Sequence, residues 1–320
     1  MTPVAIITGF LGAGKTTMIG RLLRDPRFGR TAVIVNEFGE IGLDHELIES
    51  ADETLLTLTN GCLCCAAQGD LSRAFRQLGL RGSAYDKIII ETSGLADPGV
   101  ILRSILSDRN LKARFVVSSV VTLVDPINAE WVLDRYVEAY RQIALADIIL
   151  YSKPDLARPS PSLVARLGEI NSGAEQLFEL EGESLFRQVP RITSAFAMPV
   201  HTAGLTTCAI TRDEPIPIMA LALFLEGLRE HCGERLLRLK GLVRVDEHRD
   251  GPVLIHFVQG SIAEPLWLDR WPSDDRGTRL VIIGQDLPAA FPERLLEALV
   301  DDVRGQMTCS PATSISRFQQ

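Results

Sequence analysis

Residues 9–17 carry the strongest chemical signal in the sequence. They read GFLGAGKTT, follow an apolar strand-like run and precede a helix-like pattern. In a glycine-rich loop between a strand and a helix, backbone N–H groups converge on an anion, and the helix N-terminus adds partial positive charge. Lys15 would neutralise the β- and γ-phosphates of a nucleotide, while the Thr16 hydroxyl would hold Mg²⁺. The motif predicts a nucleoside-triphosphate site rather than a plain turn, and its glycines are Gly9, Gly12 and Gly14.

Two further segments are expected to face the γ-phosphate. Glu91 ends an apolar strand, where an acid can hold the Mg²⁺ shell or orient water, and Gly94 can give its N–H to the phosphate. This acid-x-x-glycine spacing resembles a switch of GTPases. Residues 36–40 end the second strand and suit a segment that senses Mg²⁺ and the γ-phosphate, with Glu40 also a candidate metal ligand. The alternative for Glu91 is an acid that only ends a strand. The alternative for residues 36–40 is a surface turn with solvated carboxylates.

The segment Ser152-Lys153-Pro154-Asp155 follows another apolar strand and resembles the Asn-Lys-x-Asp motif that reads guanine. The carboxylate of Asp155 can accept both the ring N–H and the exocyclic amino group of guanine, a pair that adenine does not offer. The stem of Lys153 can pack over the base. Ser152 stands where the motif has asparagine, which removes one longer hydrogen-bonding side chain and leaves the discriminating carboxylate in place.

Three of the six cysteines lie together, as Cys62, Cys64 and Cys65, just before a helix pattern. Thiolates near a helix N-terminus have a lowered pKa, and three of them favour Zn²⁺ or Cu⁺ over Mg²⁺ or Ca²⁺. A fourth ligand stays open among Glu40, Glu37, His45 and water. An incomplete shell suits a transient metal ion better than a structural one. The alternatives are a buried cysteine cluster and a redox sensor.

The elements that position these residues alternate between strand and helix in the first half of the chain. The predicted strands are 3–8, 32–36, 54–59, 87–91, 116–124 and 147–152, and the predicted helices are 15–25, 69–79, 97–107, 128–144 and 162–171. Such alternation predicts an α/β fold with a mostly parallel sheet, and ligands of such sheets bind at the carboxyl ends of the strands.

The pattern changes after the first half and predicts a second, smaller α+β domain with a largely antiparallel sheet. Its predicted strands are 207–211, 236–245, 253–259, 265–269 and 279–283, and its predicted helices are 216–231 and 288–304. We therefore divide the chain into a P-loop domain over 1–180, a linker over 181–200, the α+β domain over 201–305 and a disordered tail over 306–320.

Composition narrows the classes of partner. The net charge of −8 argues against nucleic acid or an anionic membrane, and no apolar run approaches a membrane span. The first strand begins almost at the N-terminus, so we expect no targeting peptide and a cytoplasmic protein.

Taken together, these motifs resemble those of the CobW-like GTPases, a family of metal-handling P-loop proteins, along nearly the whole chain. The resemblance implies hydrolysis of GTP coupled to delivery of a metal, zinc or sometimes cobalt, to a client metalloprotein. It assigns phosphate and Mg²⁺ binding to Gly12, Ala13, Gly14, Lys15, Thr16 and Thr17, cargo binding to Cys62, Cys64 and Cys65, and guanine binding to Lys153 and Asp155. The sequence lacks the histidine-rich stretch of many relatives.

We thus expect a GTP-gated metallochaperone that uses GTP, Mg²⁺ and Zn²⁺, with Co²⁺ as an alternative cargo. One competing hypothesis is a metal sensor or buffer in which the nucleotide has only a structural role. Another is a P-loop kinase, against which Asp155 and the cysteines argue. The identity of the client stays open, as does assembly into a homodimer.

Overall fold

A parallel sheet organises the first half of the chain. The computed structural model describes residues 1–35, 55–57, 75, 85–180, 182–186, 200–202 and 204–309. Within these ranges the strands are β1 (Thr2–Gly9), β2 (Thr31–Val35), β3 (Leu55–Thr57), β4 (Lys87–Glu91), β5 (Phe115–Val124), β6 (Ile148–Tyr151) and β7 (Glu175–Leu177). They run in the order β3-β2-β4-β1-β5-β6-β7, and each neighbouring pair is parallel. The predicted α/β fold is confirmed.

Helices cover both faces of this sheet, which explains why its central strands are almost entirely apolar and buried. The helices described are α1 (Lys15–Leu23), α2 (Pro98–Ser107), α3 (Arg109–Lys112), α4 (Ala129–Leu133), α5 (Val137–Ala144) and α6 (Pro161–Ile170). The helix predicted over 69–79 falls outside the described residues, except for position 75, which is helical.

The second half of the chain forms an antiparallel sheet with two helices. The strands are β8 (Val200–Thr202), β9 (Leu205–Arg212), β10 (Leu236–Val245), β11 (His248–Val258), β12 (Ser261–Ile262), β13 (Leu266–Trp267) and β14 (Thr278–Gln285), and the helices are α7 (Ile218–Cys232) and α8 (Phe291–Cys309). In the described part of the chain the path is β12-β11-β10-β14-β9-β8, with β13 on β11. The predicted α+β class is confirmed.

The two faces of the second sheet have different neighbours. One face packs under α7 and α8 through residues such as Leu239 and Ile282. The other face lies on the first domain, where Leu237 and Val281 share a buried cluster with Ile149. The two domains therefore share apolar core.

A buried ion cluster lies inside the same interface. Asp147, which precedes β6, accepts hydrogen bonds from Arg238 and, at 2.5 Å, from Lys240, both on β10. Its second carboxylate oxygen accepts from the Val120 backbone N–H at 2.9 Å. The carboxylate is thus satisfied by both domains, as a buried charge requires.

The secondary structure differs from the prediction at three places. The helix expected over 128–144 is broken by Tyr136, which is extended so that its ring packs against Phe10. Residues 182–186 of the predicted linker form a 3-10 turn that buries Leu185 in the first domain. Helix α8 continues to Cys309, past the predicted start of the tail, and no proline interrupts it between Pro292 in its first turn and Pro311.

Candidate nucleotide site

The predicted phosphate loop joins β1 to α1 and uses its glycines in left-handed or otherwise strained conformations. Gly9 has a φ of 138°, and a Cβ there would lie 2.4 Å from the Leu123 carbonyl oxygen. Gly12 and Gly14 have φ angles of 72° and 87°, which L side chains rarely adopt. Gly14 is the N-cap residue of α1, so the loop runs directly into the positive end of the helix.

Lys15 begins α1 and holds its ammonium group against the loop. Its Nζ donates to the carbonyl oxygens of Gly9 at 3.0 Å and Phe10 at 3.3 Å. The side chain is only 9% exposed, so the loop itself sets the position of the charge. A cation in this place can offset the charge of phosphates bound along the loop.

Thr16 and Glu91 meet although they are far apart in sequence. The Thr16 hydroxyl donates to Glu91 Oε1 at 2.6 Å, because β4 lies beside β1 in the sheet. Both are hard oxygen donors of the kind that Mg²⁺ prefers, and the carboxylate is 5% exposed. The pair fits a Mg²⁺ ion beside the phosphates. Thr17, the next residue of α1, is exposed.

The loop after β4 is fastened to β1 and to the P-loop. The Thr92 N–H donates to the Ile7 carbonyl at 3.0 Å, and the Thr92 hydroxyl contacts that of Thr8 at 2.8 Å. Gly94 packs so closely that a Cβ would lie 2.6 Å from the backbone nitrogen of Leu11. The structure therefore brings Gly94 beside the P-loop.

The residues predicted to read the base follow β6. Lys153 has a φ of 52°, and its Nζ lies 2.8 Å from Asp125 Oδ2. Asp155 is exposed in the turn that follows. The edge of the sheet thus presents one lysine fixed by an ion pair and one solvent-facing carboxylate.

Asp125 is a residue that the sequence reading missed. It follows β5, and its carboxylate accepts from the Ile127 N–H at 3.0 Å and from Asn128 Nδ2 at 2.9 Å. Burial alone would raise the pKa of Asp125, but the hydrogen bonds from Lys153 and Asn128 outweigh it and lower the pKa below the usual value. Its signal was an acid directly after an apolar strand, the same signal that identified Glu91.

Gln142 of α5 was missed as well. Its Nε2 donates to the carbonyl oxygens of Gly94 at 3.0 Å and Ala96 at 3.2 Å, and the side chain is 1% exposed. These two hydrogen bonds hold the loop that carries Gly94. A glutamine on an amphipathic helix gives no sequence signal of such a role.

The predicted metal ligands Cys62, Cys64, Cys65 and Glu40 lie outside the described residues, as do Glu37 and His45. In the part of the chain that the structure describes, no group of three or more His, Cys, Asp or Glu side chains could hold a metal ion. Cys208 and Cys232 are buried in the second domain, and burial raises the pKa of Cys208 to about 12. No helix among the described residues is long and apolar enough to cross a membrane.

Comparison with known proteins supports the same arrangement of domains. The chain matches the CobW/HypB/UreG nucleotide-binding domain over residues 3–178 and the C-terminal domain of the cobalamin synthesis protein cobW over residues 205–300. It is 31% identical over 307 residues to the zinc chaperone YjiA of Escherichia coli K12, covering 90% of this chain and 96% of that protein. It is 30% identical over 353 residues to the zinc chaperone CobW of Pseudomonas aeruginosa, covering 93% and 91% respectively.

The first of these relatives, YjiA, is also similar to this chain in its solved structure. The crystal structure of Zn(II)-bound YjiA GTPase from E. coli superposes with a TM-score of 0.70 at 24% identity, over 93% of this chain and 98% of that chain. Because the first family match covers more than half of the sequence and the relatives match it nearly end to end, the chain belongs to the CobW/HypB/UreG family of P-loop proteins and carries the CobW C-terminal domain.

Proposed function

We propose that this protein is a GTP-hydrolysing metallochaperone whose cargo is zinc. The observation that carries the catalytic part is the meeting of Thr16 with Glu91 at 2.6 Å, next to the lysine of the P-loop. The relatives named zinc chaperones support the choice of cargo.

Each residue of the site has a role in this proposal. Lys15 offsets negative charge on the β- and γ-phosphates, and Gly94 offers its N–H to the γ-phosphate from a loop packed on Leu11. Glu91 orients Thr16 and the attacking water. Thr16 and Glu91 would hold a Mg²⁺ ion, which would supply charge neutralisation at the phosphates. Asp155 selects guanine over adenine, and Lys153, fixed by Asp125, covers the base.

The cargo site consists of Cys62, Cys64 and Cys65, with Glu40 as a further candidate ligand. These residues lie in sequence between β2 and β4, which are neighbours in the sheet, and β4 ends at Glu91, the partner of Thr16. Metal ligands in this place would respond to the nucleotide, and GTP is expected to tighten zinc binding while hydrolysis loosens it. The receiving partner is a client metalloprotein, and Co²⁺ is an alternative cargo.

The test is a Zn²⁺ competition titration of the full chain with a non-hydrolysable GTP analogue, with GDP and with no nucleotide. We expect zinc affinities that differ by roughly 5–150-fold between the GTP-like and GDP states. Cys64→Ala should abolish the tight zinc site. Cys232→Ala should retain it, because Cys232 is buried in α7, with only 4% of the residue exposed.

Turnover measurements complete the test. The unmodified chain should hydrolyse GTP, and Lys15→Ala should not, because its phosphate charge is no longer offset. Equal zinc affinity in all nucleotide states would exclude gated release and leave a metal buffer. Equal turnover of Lys15→Ala and the unmodified chain would exclude the phosphate site itself.

A further inference from the structure

The carboxylate of Asp97 is shared between the two domains. Asp97 ends the loop that follows Glu91, and its Oδ1 caps α2 by accepting the Gly99 N–H at 2.8 Å. Its Oδ2 accepts from Nε2 of Gln259, a residue of the C-terminal domain, at 3.1 Å. Nη1 of Arg141 lies 3.7 Å from the same oxygen. These contacts fix the position of the end of the loop.

Gln259 lies at the tip of the hairpin that joins β11 to β12. Val258 pairs with Ser261, so the turn consists of Gln259 and Gly260 alone. Both have positive φ, 42° and 84°, as the two central residues of a type I′ hairpin turn require. The Gln259 N–H also donates to the Leu237 carbonyl at 3.1 Å. This backbone hydrogen bond holds the turn in place, and the side-chain amide of Gln259 therefore points in one direction.

The hairpin is packed against α2 along its length. At the first turn of α2, a Cβ on Gly99 would lie 2.5 Å from Gln259 Oε1, so the side chain of Gln259 occupies the space that the glycine leaves open. Val258 is fully buried among core residues of the first domain. Near the other end of α2, the hydroxyls of Ser107 and Ser261 are 3.1 Å apart. A movement of α2 or of the loop before it would thus meet the hairpin directly.

The opposite end of the same loop faces the nucleotide. Only the residues 92–96 separate Glu91 from Asp97, and within them Gln142 holds the carbonyls of Gly94 and Ala96. The loop is therefore supported at its middle by the first domain and at its end by the second. We propose that Gln259 is a positioning residue for GTP hydrolysis: through Asp97 it fixes the loop that follows Glu91 and carries Gly94, and so lets the C-terminal domain set the rate of turnover.

This inference rests on the proposed hydrolysis of GTP. Gln259 bonds to Asp97 and Leu237, and no contact seen in the described part of the chain joins it to Lys153 or Asp155. Its loss should therefore change the geometry of the reacting groups more than the binding of nucleotide. Gln259→Glu places a second carboxylate against Asp97 and replaces a hydrogen bond with repulsion. We expect kcat to fall about tenfold while KM for GTP stays within about twofold.

The decisive variant reverses the polarity of the contact. Combining Gln259→Glu with Asp97→Asn gives an amide that donates to a carboxylate, and asparagine still caps α2. We expect this double variant to recover at least half of the lost kcat, which a general loss of stability would not allow. Gln259→Ala serves where the glutamate variant does not fold, and it should lower kcat about threefold.

The matched control is Gln285→Glu, the same substitution at an exposed position of β14 in the same sheet. It should leave kcat and KM unchanged. Unaltered kcat in both Gln259→Ala and Gln259→Glu, or a double variant no better than Gln259→Glu, would overturn the inference. Absence of GTP hydrolysis by the unmodified chain would instead overturn the proposed function, so the two failures are distinguishable.

Discussion

At the scale of single residues, the end of the site that we assign to the base combines a strained backbone with an ion pair. Lys153 has positive φ, which is uncommon for a residue with a side chain. Its ammonium group is held 2.8 Å from Asp125, which itself is held by the backbone and by Asn128. The strain is therefore balanced by a contact that orients the lysine stem. Asp155 remains free to face the ligand, since it is exposed in the following turn.

Asp155→Asn should exchange the base preference. An amide cannot accept two N–H groups of guanine, but it can donate to the extra carbonyl of xanthine. Because a hydrogen bond to a charged group contributes about 1.5–3 kcal/mol, we expect GTP affinity to fall roughly ten- to a hundredfold while that for xanthosine triphosphate rises. Competition binding with GTP, ATP and xanthosine triphosphate measures this. Similar affinity of the unmodified protein for ATP and GTP would contradict the assignment.

At the scale of elements, the loop between β4 and α2 owes its shape to a helix distant in sequence. Gln142 lies on α5, yet its amide satisfies the Gly94 and Ala96 carbonyls, while its own backbone carbonyl accepts from the Thr122 hydroxyl at 2.8 Å. This contact also ties α5 to β5. A loop held in this way keeps Gly94 against Leu11.

Gln142→Ala should therefore loosen the loop and destabilise the domain. Two buried carbonyls would lose their donor, which costs about 1–3 kcal/mol of unfolding free energy. Urea unfolding measures the loss, and GTP turnover should fall with it. Gln306→Ala is the control, since Gln306 is exposed on α8 and bonds only to Asp302 among the contacts seen. A Gln142 variant as stable as this control would show that the two hydrogen bonds contribute nothing.

At the scale of the whole molecule, the buried ion cluster around Asp147 between the two domains carries more positive than negative charge. Arg238 and Lys240 both face the single carboxylate of Asp147. His256 lies opposite Lys240 on β11, and its buried Nε2 has no hydrogen-bond partner among the described residues. Burial first, and then the two cations, lower the pKa of His256 well below its usual 6.5. The imidazole is consequently neutral in the folded protein.

Stability should therefore decline in acid. Below pH 6.5 the unfolded chain takes up a proton at His256 that the folded chain refuses, so the unfolding free energy falls as the pH decreases. The slope is at most about 1.4 kcal/mol per pH unit. Urea unfolding between pH 7.5 and pH 5 measures it, and His256→Leu should flatten the curve. The decline should persist in His231→Leu, because His256 is still in place. An equal slope in the His256 variant would contradict this account.

Local sequence patterns predicted the helices and strands, but they did not predict contacts between residues that are far apart in the sequence. The P-loop, α1 and the apolar strands are encoded in contiguous residues, so their positions follow from periodicity and glycine spacing. Gln142 meets Gly94 across 48 positions, and Gln259 meets Asp97 across 162, which no local pattern reveals. Tyr136 interrupts a helix whose apolar stripe is continuous in the sequence, because the Tyr136 ring packs against Phe10 in the tertiary structure. The short run around Leu185 is too brief to signal burial.

Because the turn consists of only Gln259 and Gly260, the length of this hairpin sets where the Gln259 side chain lies. Adding one residue to a strand or turn advances the chain by about 3.4 Å and sends the next side chain to the opposite face. An insertion before Gln259 would carry its amide out of reach of Asp97, which accepts it at 3.1 Å, and would pull Val258 out of the first domain. The spacing of this hairpin is therefore under as much constraint as the chemistry of its residues, and insertions in the C-terminal domain should be tolerated elsewhere before they are tolerated here.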